Sequence, residues 1–249
     1  QYSYPLIIVG LGGMINEMLS RVIYRKVLDI DPLQEESELG IFGANYKLAM
    51  LITIFIQVFR LAAEPFFFNQ SKNENARFIY ARVMKFFVIT CCFMFLFVSL
   101  FLEFWVKLIA SRYPAYAEGI NIVPILAMGN VFLGIYYNLS VWYKLTNRNL
   151  TGAYLTVAGA LITILLNIIL IPAFHYTGAA WSTLLCYGFM MVASYIQGQK
   201  HYPIPYKKKK LLAYLAVCTI FYLLHSMITH LIPETGPLHN VIYYGFSLC

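Results

Sequence analysis

The chain has 249 residues, of which 60% are hydrophobic and only 12% charged, with a formal net charge of +7. That balance excludes an ordinary water-soluble domain. The cations sit in short connectors between apolar runs rather than along one amphipathic face, which argues against a nucleic-acid-binding surface.

Residues 2 to about 25 read as a first membrane span, apolar as far as Asn16 and then carrying Glu17, Arg21 and Arg25 at spacings of four. That spacing keeps the three ions on one slowly drifting helical stripe. The connector DIDPLQEESE is acidic, lacks Lys and Arg, and is expected to turn around Asp31 and Pro32 on the outer side. A second span runs from about Leu39 to Phe59, with Lys47 inside it and Arg60 and Glu64 at its inner end. Pro65 is expected to open an irregular aromatic exit, EPFFFNQ. The basic segment that follows, with Lys72, Arg77, Arg82 and Lys85, belongs in the cytoplasm.

Residues 86–102 are uncharged and Phe-rich, giving a third span with Trp105 as an interfacial anchor. A mixed outer connector leads to a fourth span over residues 119–143, which Pro124 is expected to bend by removing a backbone hydrogen bond. Residues 150–171 then carry no charged side chain. At about 1.5 Å per residue they cross the roughly 30 Å hydrocarbon layer. Pro172 ends this span, residues 173–177 turn, and the uncharged residues 178–197 return as a transmembrane hairpin. HYPIPY follows as a stiff, extended boundary, because each proline fixes its own φ and disfavours helix just before it. Lys207 to Lys210 open a seventh span over residues 211–232, and an eighth begins near Val241.

The fold class is therefore an all-α, polytopic transmembrane helix bundle of about eight spans. Loops assigned to the cytoplasm hold Lys72, Arg77, Arg82, Lys85, Lys144, Arg148, Lys200 and Lys207 to Lys210, which is 11 of the 18 cations and makes the alternation self-consistent. The four lysines are topological anchors, with attraction to anionic lipid as a second role. The chain opens on Gln1 and stops at Cys249 inside an apolar run, as expected of a piece of a longer protein.

No G-x-S-x-G, Walker or H-E-x-x-H sequence is present. The five cysteines lie in apolar runs without a C-x-x-C pair, and the histidines are scattered over turns and one helix without ligand spacing. No enzyme activity, cofactor or metal is expected. The informative side chains are the intramembrane ions Glu17, Arg21, Arg25, Lys47, Arg60 and Glu64. A charge facing lipid costs several kcal/mol, so these are expected to line a protein interior or a wet cavity. The competing reading is local neutralisation of Glu17 by Arg21 and of Arg60 by Glu64 at i,i+4, with Arg25 and Arg60 snorkelling to the interface. Glu17 and Lys47 fall at similar depth on antiparallel spans, and a contact between them is expected. Asn130, Asn138, Asn167, Gly152, Thr156, Ala160, Gly178 and Ser182 read mainly as helix-packing positions.

Two segments carry a resemblance. SRVIYRKVL with ELGIFGANYKLAMLITIFIQVFRLAAEPFF resembles the seventh and eighth helices of polysaccharide-biosynthesis flippases. TNRNLTGAYLTVAGALITILLNIILIPAFHYTGAAWSTLLCYGFMM resembles a later hairpin of the same family. These flippases belong to the multidrug, oligosaccharidyl-lipid and polysaccharide exporter superfamily. The resemblance implies two six-helix lobes around a cavity. Residues 1–206 would form the C-terminal lobe, residues 207–249 an additional helix pair, and the N-terminal lobe would lie outside the sequence. It implies a multi-pass protein of the bacterial inner membrane that moves a lipid-linked oligosaccharide diphosphate, in contact with membrane lipids. A multidrug or cation antiporter of the same superfamily, a membrane-embedded transferase and a structural scaffold remain as alternatives.

Overall fold

The computed structural model describes residues 20, 22–27, 31–110 and 113–231. Every regular element among them is helical. Helix α1 (Pro32–Gln70) starts where Asp31 Oδ1 accepts a hydrogen bond from the Leu33 amide at 3.2 Å, with Pro32 in the first turn and Glu35 close behind. A capping carboxylate, a proline that needs no amide partner and an acid near the positive end of the helix dipole together favour initiation there. The acidic connector expected as an outer turn is therefore mostly the first turns of α1.

The expected irregular exit at Pro65 is also helical, because α1 continues through Pro65 to Gln70. Tertiary contact outweighs the missing amide. Phe67 is buried edge-on against Tyr80, with ring centres 5.1 Å apart, and the Tyr80 hydroxyl donates to the Phe67 carbonyl at 2.8 Å. Ser71 then closes the helix by donating Oγ to the Phe68 carbonyl at 2.6 Å.

Helix α2 spans Ala76–Leu100, so the basic segment expected in the cytoplasm is a turn at residues 71–75 followed by helix carrying Arg77, Arg82 and Lys85. Helix α3 (Leu102–Ala110) and a 3₁₀ helix (Pro114–Ile122) occupy the outer end. Helices α4 (Val123–Leu139) and α5 (Val141–Leu145) return to the inner end. Pro124 does not bend a continuous span. It lies in the first turn of α4, where the 3₁₀ helix gives way to α geometry and a missing amide costs little.

The helical run α6 (Asn149–His201) is broken at His175, whose φ of 50° and ψ of −134° reverse the chain. Its arms, 149–174 and 176–201, pack side by side. Cys186 Sγ reaches the Gly159 carbonyl at 3.3 Å, and a Cβ on Gly159 would meet Met190 Sδ at 2.6 Å. At the apex, a Cβ on Gly178 would overlap the Leu170 carbonyl oxygen, so only glycine lets the arms close there. The expected hairpin is thus present, but Pro172 does not end its first arm: the helix continues through it and the turn is narrowed to His175. After a non-helical linker at residues 203–207, α7 (Lys208–Leu231) completes the described chain.

Five helical stretches among the described residues are long and apolar enough to cross a membrane. Counting both arms of α6, they supply the expected second to seventh spans. The first and eighth lie almost wholly outside the described residues. Helix α4 is the centre of the bundle, since 15 of its 17 residues are buried and it packs on α1, α2 and α6. A helix apolar all round belongs in an interior. Asn130 ties it to α1 by donating to the Ala49 carbonyl at 2.8 Å, and Asn167 on α6 donates to Ser20 Oγ at 2.9 Å. Helix α7, by contrast, rests on α2 alone among its larger contacts, through Cys218 beside the Cys92 carbonyl and Tyr222 against Phe95.

Candidate functional site

The inner end of α1 brings together Arg60, Glu64 and, from α5, Lys144. Residues 60 and 64 are one helical turn apart on the same face, so Arg60 Nε comes to 3.2 Å from Glu64 Oε1. Lys144 Nζ approaches the same oxygen at 2.5 Å. Its side chain is only 10% exposed, whereas Arg60 and Glu64 are about one-third exposed. The Arg60 guanidinium also lies over the Tyr137 ring, 4.9 Å from its centre, in cation–π geometry. Two cations around one carboxylate leave a net positive charge at the inner mouth of the bundle.

A small cavity of about 10 Å³ is lined by Arg60 and Glu64 together with Phe59, Gly134, Tyr137 and Asn138. The buried Asn138 amide nitrogen points to no hydrogen-bond partner among the described residues. Such a donor beside a cationic pair is suited to an acceptor oxygen.

The remaining expected site residues do not join this cluster. Lys47 is exposed on α1, about 20 Å along the helix from Arg60 at 1.5 Å per residue. It shares a stripe with Met50, Ile54, Val58 and Leu61, all exposed and all apolar. Arg25 stands apart from the inner cluster. Its side chain is 66% exposed and its Nε pairs with Glu35 at 3.4 Å, at the outer end of the bundle, because α1 begins early enough to present an acid there. Glu17 and Arg21, and with them the expected Glu17–Lys47 contact, lie outside the described residues.

A second polar cluster closes the outer end. Glu38 accepts a hydrogen bond from the Tyr24 hydroxyl and from Gln34 Nε2 at 3.0 Å, and lies 3.1 Å from His175 Nδ1. One carboxylate thus joins the segment before α1, α1 itself and the apex of the α6 hairpin. Nearby, Asn45 Nδ2 donates to the Ile41 and Tyr116 carbonyls, both at 2.9 Å, anchoring the 3₁₀ helix to α1. Sequence reasoning assigned Glu38 to a connector and Lys144 to a topology signal. The available hint for Lys144 was its place directly after the apolar, aromatic run VWY, which draws a terminal ammonium back into the bundle.

A bundle of membrane-length helices is the architecture of a polytopic membrane protein. The family model MatE matches residues 30–169, more than half of the chain and the whole stretch from Asp31 through the first arm of α6 up to Ile169. The chain belongs to the MatE family. It is a multi-pass membrane protein of an exporter superfamily whose members are transporters. No curated protein and no solved structure matches the chain significantly. Within this MatE-family chain, the matched region contains α1 to α5 and therefore all three ions of the inner cluster.

Proposed function

We propose that this chain is the C-terminal lobe, residues 1–206, with an additional helix pair, residues 207–249, of a flippase that moves a lipid-linked oligosaccharide across the bacterial inner membrane. It works as a transporter and not as an enzyme. One observation carries this reading: a single carboxylate, Glu64, is shared by Arg60 and Lys144, so the inner mouth holds surplus positive charge. A diphosphate entering from the cytoplasm is costly to desolvate, and a preformed cationic pair offsets that cost. The exposed Lys47 supports the same reading. A lone ammonium on an otherwise apolar stripe of α1 is expensive against acyl chains and favourable beside a water-filled cleft shared with an N-terminal lobe. The two lobes would rock around the substrate while its lipid tail stays in the bilayer.

Flipping of a fluorescent lipid-linked oligosaccharide by the full-length protein in proteoliposomes tests this. Lys144→Met and Arg60→Met should each slow flipping at least tenfold at normal folded yield, while Lys144→Arg retains most of it. A drug and cation antiporter would favour surplus acid in its cavity. Proton-coupled export of organic cations that depends on Glu64 and tolerates Lys144→Met would replace the flippase reading with that one.

A further inference from the structure

A cleft of about 240 Å³ opens between α2, α4, the second arm of α6 and α7. Val88, Leu139, Val192 and Leu212 are typical of its wall, and the one charged side chain that lines it is Lys208. Lys208 Nζ stands 5.8 Å from the centre of the Tyr195 ring, which also faces the cleft. On α7 the lining positions are Lys208, Leu211, Leu212 and Leu215, one helical stripe about 10 Å long. That length stays within a single leaflet.

By the excess of cations at this end of the bundle, the leaflet is the cytoplasmic one. The linker before α7 is held at the inner end of the bundle, with His201 stacked on Trp142 at 5.5 Å and the Arg77 guanidinium 4.8 Å from the Tyr202 ring. Lys207 to Lys210, all exposed, therefore stand at the headgroup end of α7, with Lys208 lining the cleft and the other three its chain neighbours. Helix α7 has no acidic residue in its first turn, so these four cations are added to the positive end of a helix dipole with no counter-charge on their own helix.

We propose that the cleft seats an acyl chain of an anionic glycerophospholipid of the cytoplasmic leaflet, with the lipid phosphate held by Lys208 and the neighbouring lysines. The apolar wall cannot do the selecting. An acyl chain is as well solvated by other lipid tails as by leucine, so walls like these accept any lipid. Discrimination falls to the rim, where four lysines favour a headgroup of net negative charge over a zwitterion. The cleft adds position, because it fixes where along the basic segment the phosphate sits. This site is separate from the Arg60–Glu64–Lys144 cluster and does not depend on the substrate assigned to the transporter.

The test is native mass spectrometry of the full-length protein equilibrated with phosphatidylglycerol and phosphatidylethanolamine of identical acyl chains in equal amounts. A phosphatidylglycerol adduct should dominate. Lys207→Gln with Lys208→Gln should weaken its retention about 25-fold, taking about fivefold for each lysine at the surface. Leu212→Trp, at an exposed position where a larger ring fills the cleft without unfolding the helix, should weaken retention with every charge intact. Lys72→Gln, another exposed cytoplasmic-side lysine, should change nothing. Equal retention of the two lipids overturns the proposal. So does undiminished retention in Leu212→Trp, which would reduce the effect to surface charge. Displacement of phosphatidylglycerol by a polyprenyl phosphate at a small fraction of its concentration would also overturn it, by making the cleft a substrate-tail site.

Discussion

The Lys144 ammonium and the Glu64 carboxylate meet at 2.5 Å although 80 positions separate them in the chain. This contact fastens α5 to α1, and Arg60 completes it from the next turn of α1. Removing Lys144 leaves Glu64 with a single, half-screened partner. Lys144→Met should destabilise the protein by about 1–2 kcal/mol, less than the full penalty for orphaning a buried charge because Glu64 retains water contact. In detergent, that corresponds to a fall of several degrees in the thermal transition. A charge-swapped pair, Glu64→Lys with Lys144→Glu, should recover part of the loss, and a double-mutant cycle would read the coupling directly.

Two glycines of the α6 hairpin should respond differently to the same methyl group. At Gly178 a Cβ overlaps the Leu170 carbonyl, which is backbone and cannot step aside. Gly178→Ala should therefore cost about 2–3 kcal/mol or misassemble the hairpin. At Gly188 the nearest atom is on the Phe132 ring at 3.4 Å, an ordinary contact, and Gly188→Ala should be close to neutral. Parallel thermal unfolding of the two variants checks the contrast.

Glu38 holds three elements at the outer end through Tyr24, Gln34 and His175. Glu38→Ala removes all three contacts at once. Amide hydrogen exchange should quicken at residues 32–40 and around the hairpin apex at residues 173–177, while α4 stays protected. Unchanged exchange at the apex would mean that the Glu38–His175 contact contributes nothing to holding it.

The exposure of Lys47 separates a wet surface from a lipid-facing one. In the full-length protein, Lys47→Cys should react with a membrane-impermeant maleimide, whereas Leu165→Cys, also exposed but on the first arm of α6, should not. The buried Cys91, Cys92, Cys186 and Cys218 should stay silent in both, with Cys249 replaced by serine. Equal protection of both introduced thiols would place Lys47 against acyl chains and remove it from any cavity.

The spans were legible because they rest on a signal that needs no partner. An uncharged run of bilayer length, such as residues 150–171, must be a helix in hydrocarbon, and a second such run after it implied the return, although the break falls at His175 and Pro172 stays inside the first arm. Pro65 and Pro124 were misplaced for opposite reasons. Pro65 stayed helical because Phe67 and Tyr80 anchor the segment from outside it, and Pro124 came to rest in a first turn because a 3₁₀ helix precedes it. Neither partner is visible within a local window. The Arg60–Glu64 pair was readable from its spacing of four, but Lys144 and Glu38 act through residues on other helices. Their roles follow from how those helices meet, and sequence distance hides it.

Helix α4 touches neighbours on every side, and that restricts how the molecule can move. A rod gripped all round cannot slide, tilt or rotate by itself without breaking close-packed contacts in several directions at once. Conformational cycling must therefore swing the packed helices as one piece, with the hinge and the sliding surfaces placed at its perimeter.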